Sequence, residues 1–330
     1  MDRELLDLVQ ASFPVVQRPF LELAKKLGSS EEEVIELYKK LKNEGIIRQT
    51  SAIFDTKSLG YDSSLVAFKA KDIEKAAEVV NAHPGVSHNY ERDHDFNLWF
   101  TIAVPPGSKL GLQKTVEILA QESGVKEYIL LPTKKMFKIK VHLDTTGKRA
   151  KKEHVEHRKK IKMPLEPYHF KLISMLQEDI KPVKEPFKAI VESFKTDYQW
   201  LEQEVQKLQD AGYMRRFATI LRHRKAGFNA NAMVVWDVDE SKASEIGQKV
   251  AQFSAVSHCY LRPTYPNWPY SLFSMIHGKS KEEVEEVVQE IAKEIEPKEY
   301  RYLYSMREFK KERIKYFSPE FHAWEERYAG

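Results

Sequence analysis

Residues 43–68 read NEGIIRQTSAIFDTKSLGYDSSLVAF, and residues 210–236 read DAGYMRRFATILRHRKAGFNANAMVVW. The second stretch repeats the first at an offset of 167 positions, so that Arg48 corresponds to Arg215. A long internal repeat is the signature of a chain built from related structural units. The repeat therefore predicts the architecture before any single motif is considered.

The repeat extends over nearly the whole chain. Two homologous halves, about 1–145 and 165–330, are separated by a basic linker. Three further pairs of strings recur in the same order: FPVVQRPF (13–20) and IKPVKEPF (180–187), PGVSHNYER (84–92) and SAVSHCYLR (254–262), and KKMFKIK (134–140) and MREFKKE (306–312). We therefore expect both halves to adopt the same fold.

Each half begins with a helical block. In the first half Phe20, Leu23 and Leu27 fall at helical spacing, SSEEE supplies a cap with an acidic first turn, and the next helix stops at Gly45. Two short helices around a GSS turn predict a helix-turn-helix of the winged type.

The rest of each half alternates strands and helices. SLVAFKA predicts a strand, DIEKAAEVVNAHP a helix, VSHNYER and FNLWFTIAV two strands, GLQKTVEILAQESG a helix, and VKEYILL running into MFKIKVHL a last strand. This βαββαβ order is the ferredoxin-like motif. The predicted fold class is α+β, with a winged-type helix-turn-helix and a ferredoxin-like domain repeated in tandem. The predicted segments are a first helix-turn-helix domain (1–62), a first ferredoxin-like domain (63–145), a basic linker (146–165), a second helix-turn-helix domain (166–228) and a second ferredoxin-like domain (229–330).

Composition excludes several classes of protein. With 330 residues, 42% of them hydrophobic, the chain can form two or more domains with real cores. A single cysteine, Cys259, excludes an intramolecular disulfide and a cysteine-based zinc or iron–sulfur site. No run approaches the roughly 18 apolar residues of a membrane span, and MDRELLDLVQ has no secretory-signal pattern. We expect a cytoplasmic protein that does not engage a membrane.

The net charge of +4 is concentrated in the linker, where eight basic and two acidic residues lie between Lys148 and Lys162. The second helices of the two helix-turn-helix blocks are acidic instead. Residues 29–44 carry five acids against three lysines, and residues 196–211 carry four acids against one lysine. Because phosphate contacts supply most non-specific DNA affinity, the charge disfavours DNA binding by these helices. A scaffold or dimerisation role is the alternative.

The first candidate cluster is a histidine motif present in both halves. His88 and His258 are each followed by Tyr two residues on and by Arg four residues on, at Arg92 and Arg262. On a strand, residues at this spacing lie on one face. A buried structural histidine and a catalytic histidine remain alternatives, since shared ancestry alone would also produce the match.

The second cluster is cationic and occurs in one half only. ILRHRKAGF (220–228) groups Arg222, His223 and Arg224 before a glycine turn, where the first half has IFDTKSLGY. Arginine suits bidentate binding of carboxylates better than lysine does. The segment is therefore a candidate site for a polyanion, with a solvated loop as the alternative.

The third cluster is the aromatic, proline-rich string RPTYPNWPYSLF (262–273), which replaces the shorter RDHDFNLWF of the first half. Its rings at Tyr265 and Trp268 could form the wall of a site for a flat conjugated ligand or could simply cover a sheet edge. The chain lacks a glycine-rich phosphate loop, G-x-S-x-G and H-E-x-x-H, so these common catalytic motifs give no lead.

The strings FPVVQRPF, GVSHNYERDHDFNLWF, RHRKAGFNANAM, VSHCYLRPTYPNWPYSLFSMIHG and LYSMREFKK resemble the siroheme decarboxylases, a family related to the leucine-responsive (feast/famine) regulators. Members are built from two related subunits, and this chain resembles both in tandem. Ser271 stands where the second-subunit pattern usually has Asn.

The resemblance implies a reaction and roles for the clusters. Siroheme would lose two acetate carboxyl groups as carbon dioxide to give didecarboxysiroheme, an intermediate for heme or for the heme of a denitrifying nitrite reductase. The enzyme would be a carbon–carbon lyase needing no organic cofactor and no metal of its own. The implied proton donors are His88, His223 and His258, one of which could instead contact the substrate iron axially. The implied substrate-binding residues are Arg48, Arg215, Arg222, Arg224 and Arg262 for unreactive carboxylates and Tyr265, Trp268 and Phe273 around the reacting acetate.

Two other functions compete with this one. A heme- or tetrapyrrole-sensing transcriptional regulator would share the fold and bind the ligand without reaction. An interaction module would use the basic linker to contact RNA or another acidic partner. In every case we expect the two halves to pair internally, with a further homodimer as a possibility.

Overall fold

The structure is a computed structural model that describes residues 2–139, 163–222 and 230–329. The described chain divides into two compact units. The helical unit comprises residues 2–59 and 163–222, and the sheet unit comprises residues 60–139 and 230–329. Each unit therefore combines the corresponding parts of both halves of the repeat.

The elements follow in chain order. The first half contains α1 (Asp2–Ala11), α2 (Pro19–Leu27), α3 (Glu31–Asn43), β1 (Ile47–Phe54), β2 (Asp62–Phe68), α4 (Ile73–Asn81), β3 (Val86–Arg92), β4 (Leu98–Val104), α5 (Gly111–Ser123), β5 (Tyr128–Pro132) and β6 (Lys135–Ile139). The second half contains α6 (Pro167–Leu176), α7 (Lys188–Phe194), α8 (Tyr198–Asp210), β7 (Met214–Leu221), β8 (Ala230–Asp237), α9 (Ala243–Gln252), β9 (Val256–Leu261), β10 (Leu272–Gly278), α10 (Lys281–Ile295), β11 (Glu299–Leu303), β12 (Ser305–Lys311) and α11 (Pro319–Glu325).

The predicted helix-turn-helix is confirmed in the helical unit. Gly28 ends α2 in the left-handed region, at φ 63°. Ser30 and Glu33 then form a capping box at the start of α3, each side chain bonding the other residue's backbone N–H. The Phe20 and Tyr38 rings, 5.4 Å apart and edge to face, pack α2 against α3.

Strands β1 and β7 join the two halves of the helical unit, although the sequence pattern did not predict either strand. They pair antiparallel, with Ser51 opposite Ala218 and Thr50 opposite Thr219. The two threonine hydroxyls lie 2.6 Å apart in a fully buried position, and the Tyr38 hydroxyl also bonds Thr50. Internal pairing of the halves is therefore present in this unit.

The sheet unit contains the predicted βαββαβ order twice. Strands β5-β2-β4-β3 and β11-β8-β10-β9 form the two ferredoxin-like sheets. The predicted fold class is thereby confirmed.

The halves of the sheet unit exchange one strand each. Strand β6 of the first half pairs with β9 of the second, and β12 of the second half pairs with β3 of the first. Each sheet is therefore five-stranded, with an edge strand supplied by the other half. The prediction of one last strand through VKEYILL and MFKIKVHL was wrong, because the chain divides there into β5 and β6, which belong to different sheets.

Three clusters of buried side chains stabilise the sheet unit. Helices α4, α5 and α11 cover one face of the first sheet, and α9 and α10 cover one face of the second. The third cluster draws only on strands and loops of both sheets, including Trp99, Val235, Trp268 and Phe273. The helix-free faces of the two sheets thus share this middle cluster. Among the described residues, no helix is long and apolar enough to cross a membrane.

Candidate active site

The histidine motif lies at a matched irregularity in strands β3 and β9. Pairing passes from Val86 to His88 on one strand, and from Val256 to His258 on the other, with the intervening serine as an extra residue in the ladder. Such bulges re-aim side chains and are frequent beside active sites. In each half the serine hydroxyl consequently bonds the Nδ1 atom of the next histidine. The distance is 2.9 Å for Ser87–His88 and 2.8 Å for Ser257–His258.

The predicted common face of His, Tyr and Arg is present in both halves. In the first half the His88 and Tyr90 ring centroids are 6.2 Å apart, and the Arg92 guanidinium lies 5.4 Å from the Tyr90 centroid. In the second half the corresponding distances are 6.1 Å and 4.9 Å. The three side chains therefore line one side of each strand.

The two arginines of these faces are buried and bond backbone carbonyls of the opposite half. Arg92 donates from Nη1 to the Leu303 carbonyl over 2.6 Å, and Arg262 donates from Nη1 to the Leu131 carbonyl. Burial lowers the pKa of each guanidinium to about 10. These bonds hold the ends of β11 and β5. Because the Leu131 carbonyl already gives the Arg262 guanidinium a partner within the protein, Arg262 is the arginine whose predicted role in substrate binding has the least support. Its predicted role as a carboxylate clasp stays a prediction.

A second imidazole joins His258 in the second half. The Ser257 hydroxyl lies 2.8 Å from His258 Nδ1 and 2.7 Å from His277 Nε2, so one serine bridges two histidines. His277 is two residues beyond Met275, the partner of His258 in β10. The corresponding residue of the first half, two beyond Thr101, is Ala103. His277 was not predicted from the sequence, although a histidine in an apolar strand where the other half has alanine is a signal for it.

The exchanged strands give the two histidine faces different surroundings. Opposite residues of an antiparallel pair share a face. Ile139 and Met136 of β6 lie opposite His258 and Tyr260, and both are more than one third exposed. Lys311 and Glu308 of β12 lie opposite His88 and Tyr90 and approach each other to 3.9 Å. The face of the second half is thus bordered by apolar side chains and that of the first half by an ion pair.

The aromatic loop packs into the middle cluster. Trp268 is completely buried, and its ring lies 5.2 Å from Trp99 and 6.2 Å from Phe273. Phe273 is also buried and lies 5.4 Å from the Arg262 guanidinium. Tyr265, half-buried, bridges to Trp268 through the backbone and donates its hydroxyl to the Leu130 carbonyl over 2.5 Å.

The structure therefore brings five predicted residues into one connected set. The members are His258, Arg262, Tyr265, Trp268 and Phe273, linked through the Tyr260 ring. Burial places Trp268 and Phe273 inside the protein, so the predicted contact of these two rings with a substrate stays a prediction.

The other predicted site residues lie elsewhere or outside the described residues. Arg48, Arg215 and Arg222 belong to the helical unit, where Arg215 pairs with Asp55 at 2.9 Å and Arg222 is exposed at the end of β7. His223 and Arg224 fall outside the described residues. Within the described ranges, no group of three or more His, Cys, Asp or Glu side chains could hold a metal ion.

Comparisons with known proteins agree with the fold. A model of the AsnC-like ligand binding domain matches residues 58–138 and 225–310, the ferredoxin-like part of each half. A model of the siroheme decarboxylase NirDL-like HTH domain matches residues 2–48. The AsnC-like domain model therefore matches the chain twice, once in each half of the sequence repeat.

Individual relatives cover the chain from end to end. A siroheme decarboxylase of Hydrogenobacter thermophilus is 41% identical over 97% of this chain and 96% of its own length. The crystal structure of the siroheme decarboxylase NirDL in co-complex with an iron-uroporphyrin III analogue is 36% identical, with a TM-score of 0.75 over 98% of this chain and 97% of that one. A siroheme decarboxylase alpha subunit of Desulfovibrio desulfuricans is 43% identical but covers only 43% of this chain, with 81% of its own length. The chain belongs to the siroheme decarboxylase family, and it carries in one polypeptide the parts that other members divide between subunits.

Proposed function

We propose that this protein decarboxylates siroheme, removing two acetate carboxyl groups as carbon dioxide to give didecarboxysiroheme. Relatives named siroheme decarboxylase cover nearly the whole chain, and one of them has been crystallised with an iron-uroporphyrin III analogue, a macrocycle with many carboxylates. The product would serve the formation of heme or of a denitrification heme. The enzyme would be a carbon–carbon lyase that needs no organic cofactor.

The observation that carries the location of the reaction is the difference between the two histidine faces. Only the face of the second half combines His258 with a second imidazole and with the apolar Met136 and Ile139. The corresponding face around His88 has Ala103 and an ion pair in the same places. A flat macrocycle needs an apolar border, and a carbanion needs a proton donor. Each half offers a histidine, but the second half adds the apolar border and the second imidazole, so we place the reacting acetate beside His258.

The chemistry follows from these surroundings. When the carbon–carbon bond breaks, carbon dioxide leaves and the electron pair spreads into the macrocycle. The remaining methylene carbon then takes a proton to become a methyl group, and imidazole is a suitable donor near neutral pH. An apolar border favours the cleavage of the carbon–carbon bond, because the negative charge is more dispersed in the transition state of that step than in the carboxylate. An arginine on the same carboxylate would act in the opposite sense.

The remaining carboxylates of the substrate need cations. We assign this role to Arg222 and Arg224 first, because the two arginines are close together in the sequence and suit bidentate binding of carboxylates. Arg48 and Arg215 remain further candidates. An axial contact from a histidine to the substrate iron also remains part of the proposal.

The regulator hypothesis receives no support from the relatives, which are named as decarboxylases. The first turn of α3 presents Glu31, Glu32 and Glu33, of which Glu31 is buried and paired with Arg18. Anions at the end of the helix that would face DNA oppose phosphate binding. We therefore assign the helix-turn-helix blocks a structural role in joining the two halves.

Anaerobic incubation of the purified full-length protein with siroheme, followed by mass spectrometry of the tetrapyrrole, tests this function. The expected result is loss of two carbon dioxide units per macrocycle, in protein free of added cofactor. Siroheme that binds but keeps its mass would contradict the proposal and would favour a sensing role.

A further inference from the structure

We propose that His277 is a positioning residue that acts on His258 through the Ser257 hydroxyl and supplies the proton that each decarboxylation consumes. This inference rests on the proposed function and deepens it. It assigns a role to a residue outside the histidine motif that the two halves share.

Two features of the strand structure fix the arrangement. The bulge at Ser257 turns the serine side chain toward the ring of the next residue, at 2.8 Å from His258 Nδ1. Strand β10 places His277 two residues beyond the partner of His258, and therefore on the same face. The Ser257 hydroxyl then lies 2.7 Å from His277 Nε2. Both contacts are normal hydrogen-bond distances for these atoms.

Hydrogen-bond chemistry gives the bridge a direction. A hydroxyl has one proton to donate and two lone pairs. The Met275 carbonyl lies 3.5 Å from the Ser257 hydroxyl, farther than either imidazole, so Ser257 donates to one imidazole nitrogen and accepts an N–H from the other. If Ser257 donates to His258 Nδ1, then His277 Nε2 carries the proton that Ser257 accepts. His258 is then the tautomer with its proton on Nε2, the nitrogen that would face the reacting carbon.

Proton transfer through this bridge is balanced. His258 gives its Nε2 proton to the methylene carbon and takes the Ser257 proton at Nδ1. Ser257 takes the Nε2 proton of His277, which begins as an imidazolium and ends neutral with its proton on Nδ1. Before the next acetate reacts, a solvent proton enters at His258 Nε2, the His258 Nδ1 proton returns to Ser257 and the Ser257 proton returns to His277, which restores the starting state. Each turn therefore moves one proton to carbon, and two turns supply the two methyl groups.

The first half provides a natural comparison. Ser87 occupies the same bulge and lies 2.9 Å from His88 Nδ1, but Ala103 stands where His277 would be. The strand partner of Ala103 is Ser63, whereas that of His277 is Asn231. A bulge that served only the fold would need no histidine at position 277, because the first half folds into the same sheet without one.

Four variants of the full-length protein test the relay, with siroheme turnover measured anaerobically. His277→Gln and Ser257→Ala are expected to lower kcat by about 10²-fold, within the usual contribution of general acid catalysis, and to change KM by less than about twofold. Ser257→Thr keeps the hydroxyl and should retain kcat within a few fold. Ser87→Ala, the matched variant of the first half, should turn over like the wild type.

Two further measurements separate a relay from a purely structural contact. Because the residues act as one unit, the double variant should lose no more than either single variant. Added imidazole should raise the kcat of His277→Ala at least about tenfold, since it can occupy the vacated space as a proton donor. Rescue by imidazole distinguishes the two roles, because a purely structural contact would give none.

The outcomes are decisive in both directions. Wild-type kcat in folded His277→Gln, or equal losses in Ser257→Ala and Ser87→Ala, would overturn the relay. Should His277→Gln fail to fold, the contrast between Ser257→Ala and Ser257→Thr decides in its place, and equal kcat in those two would refute the proposal. Failure of the proposed function is recognised separately, because the wild-type protein would then release no carbon dioxide.

Discussion

Ser51 lies directly opposite Ala218 in the pair formed by β1 and β7, and these two residues are 167 positions apart, which is the offset of the sequence repeat. Equivalent residues that pair with each other mark a local two-fold axis. The same symmetry appears in the sheet unit, where β6 and β12 are exchanged between the halves. The chain is therefore organised like a dimer of two related subunits joined by a linker.

This organisation predicts that the covalent linker is dispensable. Residues 1–145 and 163–330, produced together as separate chains, should copurify in equal amounts and convert siroheme. The reason is that each half completes a sheet of the other, which leaves unpaired strand edges in either half alone. Copurification through a tag on one half measures the result, and recovery of a lone, folded first half would contradict it.

Gly247 of α9 should be required for the exchange of β6. A Cβ atom added there would lie 2.6 Å from Phe137 Cδ2 of β6 and closer still to two other carbons of that ring. Gly247→Ala should therefore lower the free energy of unfolding by about 1–3 kcal/mol, against the gain in helix propensity that alanine normally brings. Denaturant titration followed by circular dichroism measures the change.

The matched control lies on the same helix. Gln248→Ala, at an exposed position, should be neutral or slightly stabilising. Reducing the ring in Gly247→Ala/Phe137→Leu should recover part of the loss, because the clash is specific to that pair. Additive losses in the double variant would exclude the proposed contact as the cause.

Arg262 is predicted to act on stability more than on substrate binding. Arg262→Met leaves the Leu131 carbonyl without its charged donor, and we expect a loss of about 2 kcal/mol in unfolding free energy. Arg92→Met, which releases the Leu303 carbonyl in the same way, should cost a similar amount. A variant of normal stability whose KM for siroheme rises at least tenfold would instead assign Arg262 to the substrate.

His83 should make the protein sensitive to mild acid. It is fully buried beside Phe321 and Trp324 of α11, and burial together with the charge of Lys310 lowers its pKa to about 3. As pH falls below about 6.5, the unfolded state takes up a proton that the folded state does not bind, so stability decreases by up to about 1.4 kcal/mol per pH unit.

Denaturant titrations between pH 7 and pH 5 measure this linkage. His83→Gln removes the titrating group, so the loss of unfolding free energy between pH 7 and pH 5 should be about 2 kcal/mol smaller than in the wild type. A slope unchanged in His83→Gln would show that other groups control acid sensitivity.

The sequence was sufficient for features that depend on local periodicity and on the repeat. The βαββαβ order, the cap at Ser30 and the common face of His258, Tyr260 and Arg262 follow from spacing along one segment. Strand β1 escaped prediction because Thr50 and Ser51 are polar although both are buried. The Thr50 hydroxyl is satisfied by Tyr38 and Thr219, which only the folded chain brings to it.

The exchange of strands and the second imidazole could not be predicted for a related reason. An alternating pattern identifies a strand but not the sheet it joins, and β6 is held by packing of Phe137 against Gly247, more than a hundred residues away. His277 reaches His258 only through a strand register and a bulge at Ser257. Neither is encoded by spacing within one strand.

The most direct test of the account compares His258→Gln with His88→Gln in anaerobic siroheme turnover, with product followed by mass spectrometry. Placing the reaction in the second half predicts a loss of about 10²–10⁴-fold in kcat for His258→Gln and near wild-type turnover for His88→Gln, with siroheme still bound by both. Equal losses in the two variants, or loss in His88→Gln alone, would contradict it.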